Sequence, residues 1–315
     1  MGLFSSKKET DEEKFQKYYA KGLENLQNHS RTNYVERSTI KFGQISWVLI
    51  LQAVEFFVEA RNLVSLLSHD SLLNSDHDVV LTPEDKFTLY LEMALCYLDL
   101  GRAELEEGVT VEDILKKNDY LQKPLLIHLD VESSITDKPS PADLANRTFY
   151  NRIKEKLLFL GLYHVDTALR QVSQPTFNAL FCKGSILEAM HDMGFPMSPS
   201  DPSFYGKESK QIEISLNKNH HEIITFSNLD PLDCFESALE LKPDNLQIMY
   251  ALSVALKKRG RFDDCKNYQD RILEIKPNGY LGKLVKGLHI STDHVCWCGR
   301  SHYGLTDNGE KLRYE

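Results

Sequence analysis

The sequence lacks any apolar run long enough to cross a bilayer. Its most apolar stretch, residues 45–58, is broken by Gln52 and Glu55 and falls short of the ~20 residues that a spanning helix needs. It reads as a buried core helix, and residues 3–40 hold no apolar run of the kind a secretory signal requires. Excess positive charge is also missing. With 37 Lys+Arg against 46 Asp+Glu the formal net charge is −9 at pH 7, and the pI is about 5.7. That excludes a general nucleic-acid binder, whose affinity comes from a basic surface that displaces counterions. There is no disulfide framework. Of the six cysteines, Cys96, Cys182, Cys234 and Cys265 stand singly in apolar helical patterns, where Cys behaves as a small hydrophobe, as in a reducing compartment. The chain carries no Gly-rich phosphate loop, no G-x-S-x-G elbow and no H-E-x-x-H pair. With no catalytic constellation in view, the expectation is a protein that is not an enzyme.

What the chain does have is an internal repeat. Residues 238–243 (ALELKP) recur as residues 272–277 (ILEIKP), closing on Pro243 and Pro277. Between the prolines, Met249, Leu252 and Leu256 share one face of a helix. Gly260 ends that helix, where a positive φ is cheap only without a side chain. Phe262, small Cys265 and Ile272 pattern a second helix, and Pro277 marks its exit. This order of apolar, glycine, aromatic, small and proline positions resembles the tetratricopeptide repeat (TPR). That repeat is a helical hairpin with a period of about 34 residues, which is the offset between the two prolines. The resemblance covers about one and a half repeats, roughly a sixth of the chain. Ser253 and Gln269 depart from the pattern. The resemblance implies an all-α fold, an irregular TPR-like superhelix of helical hairpins, whose role is to present a groove to a partner protein or peptide. The equivalent groove positions are Gln247, Tyr250, Ala251 and Val254, and on an earlier helix Thr88, Leu91, Glu92 and Leu95. They are mostly apolar or uncharged. That disfavours the carboxylate clamp some TPR grooves use, and points to an apolar peptide or helix as ligand.

The chain opens Met1, Gly2, Leu3, Phe4, Ser5, Ser6, Lys7, which fits N-myristoylation of Gly2 with Ser6 at the favoured position and Lys7 behind it. A single myristoyl chain gives reversible membrane binding. The acids Glu9, Asp11, Glu12 and Glu13 follow soon after Lys7 and Lys8, so a polybasic supplement is poor. A cytoplasmic, peripheral-membrane location is the expectation.

The organisation expected along the chain is a flexible acylated N-terminus (residues 1–14) and N-terminal helices that include a TPR-like one (15–107). An irregular loop (108–141) follows, then TPR-like repeats (142–290) with an insertion at 195–228, and a C-terminal Cys/His tail (291–315). Within the insertion, Ile212, Ile214 and Leu216 alternate, and Ile223 to Phe226 follow a polar turn, the pattern of a short β-hairpin. The tail brings His294, Cys296, Cys298 and His302 together in sequence. Thiolate with imidazole is zinc-compatible, although the Cys pair is tighter than structural zinc sites use. The same segment resembles the first half of a CDGSH-type iron–sulfur motif and lacks its third cysteine. Three readings follow. The first is a non-catalytic adaptor or scaffold, myristoylated and reversibly attached to a cytoplasmic membrane surface, with no cofactor. The second is a soluble co-chaperone or complex subunit without lipid. The third is a zinc-binding protein that uses the C-terminal segment.

Overall fold

The computed structural model of the protein describes residues 9–36, 42–69, 81–105, 109–110, 113–114, 116, 147–193, 210–217, 220–226 and 229–287. Among these residues the architecture is all-α, with one two-stranded hairpin. The helices are α1 (Asp11–Glu36), α2 (Ile45–His69), α3 (Pro83–Arg102), α4 (Arg147–Leu169) and α5 (Phe177–Asp192), then α6 (Pro231–Leu241), α7 (Leu246–Lys258), α8 (Phe262–Ile275) and α9 (Tyr280–Val285). Strands β1 (Lys210–Asn217) and β2 (His220–Phe226) lie between α5 and α6 and pair antiparallel, Ile212 opposite Ile224, with an irregularity at Ser215/Asn217.

Local chemistry sets where the helices begin. Thr10 and Glu13 form a capping box at α1, and Thr82 and Asp85 form another at α3, each satisfying an otherwise orphaned amide. Pro83 and Pro231 occupy first-turn positions, where no amide is needed. Thr176, Asp230 and Asn245 cap α5, α6 and α7 through their side-chain oxygens.

Neighbouring helices stack in sequence order, and the hairpin touches α4. Two apolar cores result, and they meet on α5. One joins α1–α4 to Cys182, Ile186 and Met190 of α5. The other joins Leu180 and Phe181 of α5 to α6–α9. Every residue of α5 from Ala179 to Met190 is buried, which requires tight crossings. Gly184 meets α6 where an added Cβ would lie 2.7 Å from the Phe235 ring, and Gly161 of α4 sits between Ile186 and Tyr97.

Several boundaries differ from the expectation. α1 begins at Asp11, inside the stretch expected to be flexible, because Thr10 caps it there. Part of the expected loop at 108–141 is helical. Thr110 and Asp113 form a capping box, and Ile114 is buried beneath Gly43, whose φ is 77°. α5 starts after Thr176, whose hydroxyl accepts from the amide of Ala179.

Candidate partner-binding surface

The segment Pro231 to Val285 folds as a helical stack with its own period. α6 ends at Leu241 and α8 at Ile275, the same offset that separates Pro243 from Pro277. The caps repeat as well. Lys242 has φ −139° and ψ 80°, and its amide donates to Ala238 O; Lys276 has φ −149° and ψ 73°, and its amide donates to Ile272 O. α7 and α9 begin at Leu246 and Tyr280, again at that offset. Closely similar short peptides ending in Lys-Pro thus make the same turn twice.

Within this unit Met249, Leu252, Leu256, Cys265 and Ile272 are all buried. Gly260 has φ 73°, and the turn it makes lets Arg261 N–H donate to Leu256 O at 3.0 Å. Pro277 follows α8 in a turn. Phe262 behaves differently from a packing residue, being 65% exposed. α8 buries Cys265 and Ile272 further along, while its first turn lies beyond Leu256, the last buried residue of α7, and leaves the ring in solvent.

The expected groove is half closed. Gln247 (7% exposed) and Ala251 (9%) are buried, because α7 is touched by α5, α6, α8 and α9. Tyr250 and Val254 remain half-buried and offer a narrow apolar strip. On α3, Leu91 and Leu95 are buried, Glu92 is half-buried and Thr88 exposed. Exposed apolar side chains on the repeat are Leu241, Phe262 and Ile275, with Leu241 and Ile275 at equivalent positions.

Charged side chains fix α7 against α5. Glu188 accepts an ion pair from Arg259 at 2.9 Å, and Lys258 lies 3.4 Å from Glu188 and 2.5 Å from Asp192. Burial alone pushes the Glu188 carboxyl up, but Arg259 and then Lys258 outweigh it and hold the group below the usual glutamate range. Glu188, His191 and Asp192 offer ligand atoms within 4.8 Å of one another, as a metal site requires. The Lys258 ammonium and Arg259 guanidinium already sit on those carboxylates, so the cluster acts as an ion-pair clasp. The sequence analysis did not single this cluster out; its local signal is Glu188 with His191 and Asp192 one helical turn on, while Lys258, 66 residues from Asp192, leaves none.

A second ion pair lies deeper. Lys183 of α5 meets Asp166 of α4 at 2.7 Å, both nearly fully buried. Burial pushes the Asp166 carboxyl up while the Lys183 ammonium opposes that shift. Cys234 of α6 lies beside the pair, its thiol pushed up to about 12 by burial, so it is protonated at neutral pH and packs as an apolar group. Gly2, Ser6 and Lys7, and His294, Cys296, Cys298 and His302, lie outside the described residues.

Among the described residues no helix is long and apolar enough to cross a membrane. Comparison with family models, curated proteins and solved structures finds no match to the chain.

Proposed function

We propose that the protein is a non-catalytic, TPR-like adaptor that binds a partner protein or peptide and is held reversibly at a cytoplasmic membrane surface by a myristoyl group on Gly2. The observation that carries the binding half is the recurring offset of helix ends and cap geometry across α6–α9. Stacked repeats of that length serve as scaffolds with extended binding faces. The half-open strip at Tyr250 and Val254 suits an apolar ligand rather than an acidic tail. The anchoring half rests on the terminal sequence Met1 to Lys7.

The test has two arms. A photo-crosslinking residue at Val254 is expected to capture a discrete protein in cells, and one at exposed Glu240 on α6 is not; equal capture from both positions contradicts the groove assignment. Protein from eukaryotic cells is expected to float with neutral liposomes and to stay behind with Gly2→Ala. Equal flotation contradicts the anchor and leaves the binding half standing.

A further inference from the structure

His164 sits mid-helix in α4 and is 0% exposed. Tyr97 stacks on its ring with centroids 5.3 Å and planes 4° apart, and Tyr90 stacks at 5.8 Å and 20°. Those tyrosines are two helical turns apart on α3, about 10.5 Å along the axis. That is close to the two ring separations laid end to end, so the imidazole slots between two phenol faces. Tyr163 closes the edge at 4.9 Å. Among the described residues neither imidazole nitrogen has a hydrogen-bond partner.

The surroundings favour the neutral ring. Burial, and then the positive charge of Arg61 on α2, push its proton affinity well below the usual histidine value, and among the described residues no carboxylate acts on it. On α3 the Tyr97 hydroxyl is pushed up to about 12 by burial and stays protonated. On the α5 side of α4, Asp166 and Lys183 neutralise each other. Along β1, which also meets α4, the ionisable residues are Lys210 and Glu213. An imidazolium would gain attraction from the tyrosine faces but would lose its hydration entirely beside a second cation.

We infer that His164 is an acid-sensitive latch at the junction of α2, α3 and α4: the neutral ring fills the slot between Tyr90 and Tyr97, and protonation opens it. α1 pairs with α2, and α2 meets α3, so the opening frees the α1–α2 hairpin that leads back to the N-terminus.

The sign follows from linkage. The opened state takes up its proton near the ordinary histidine value of about 6.5, and the closed state does so only well below it. The latch is therefore intact above that value and weakens as pH falls. Between pH 7.5 and 5.0 the opening constant rises about 30-fold. The experiment is amide exchange of the full chain over that range, corrected for intrinsic rates, with His164→Phe as comparison because it keeps an aromatic ring in the slot. Wild-type protection in α2–α4 is expected to fall about 30-fold further than in the variant. An equal fall in both overturns the inference. A direct reading on the wild-type protein needs no variant to fold: the His164 imidazole nitrogens, followed by NMR, are expected to stay neutral to pH 5. Titration of that ring near the ordinary histidine value in the folded protein overturns it as well.

Discussion

Helices α1–α5 and α6–α9 are both sequential helical stacks, yet different chemistry holds them. In α6–α9 the interior is mainly aliphatic, with Leu239, Leu246, Ile248, Met249, Leu252, Leu256 and Ile272 buried, and the turns repeat at a fixed interval. In α1–α5 the joints are individual. Phe15, Tyr19 and Phe57 zip α1 to α2. Phe42 packs edge-on against Trp47 and Tyr150, and the Tyr150 hydroxyl donates to Ala103 O. His164 is held by tyrosines, and Lys183 by Asp166. A repeat reuses one solution and is stabilised by nearest neighbours. An irregular stack needs a separate solution at each crossing, and two of the crossings here hold buried polar groups. α5 belongs to both, with apolar residues facing each core and its charges paired outward to α4 and α7.

The difference can be broken most strongly at the buried ion pair. Asp166→Ala is expected to destabilise by about 3–5 kcal/mol, because Lys183 is left buried without a counter-charge. Urea unfolding measures it. The double change Asp166→Leu with Lys183→Met is expected to recover most of that loss. A single-variant effect under about 1 kcal/mol means that water already reaches the pair.

Leu252→Ala, in the repeat, is expected to cost about 2–5 kcal/mol as a cavity among aliphatic neighbours. Its distribution matters more than its size. Amide exchange is expected to quicken in α6–α9 while α3 and α4 stay protected. Uniform loosening would show that the two stacks unfold as one unit. Gly184→Val is expected to cost about 1–3 kcal/mol by overpacking, since its Cβ would lie 2.7 Å from the Phe235 ring and 3.2 Å from Cys234 Cβ. Phe235→Leu in the same chain is expected to return part of it. Thermal melts of the three chains decide this.

The smallest effect sharpens the repeat itself. Asn245 caps α7 through its side chain, and Gly279, at the equivalent position before α9, has no side-chain cap. Asn245→Ala is expected to cost about 1 kcal/mol and Gly279→Asn to gain a few tenths. Denaturant midpoints with unchanged slopes would bear this out.

What was legible in the sequence follows the same division. Recurrence of ALELKP as ILEIKP located α6, α7 and α8, and Gly260 the turn between the last two, because short-range chemistry dictates caps and turns. Alternation at Ile212 to Phe226 located the hairpin. Exposed Phe262 and buried Gln247 were not legible, since each depends on which distant helix lies alongside. The same holds for the pairing of Glu188 with Arg259, of Lys183 with Asp166 and of His164 with Tyr97. A pattern shows which face of a helix is apolar; it does not show what a charge on that helix will meet. Thr110 with Asp113 was a start signal of the Thr82 type, hidden in a stretch of weak apolar period.

Whether the protein works at a membrane, as the proposed function requires, is tested most directly by the intact mass of the chain purified from eukaryotic cells, first native and then denatured. The expected result is a species that lacks Met1 and carries one myristoyl increment that survives denaturation. A chain that has lost only Met1, with a free Gly2 amine, would contradict the membrane-anchored assignment.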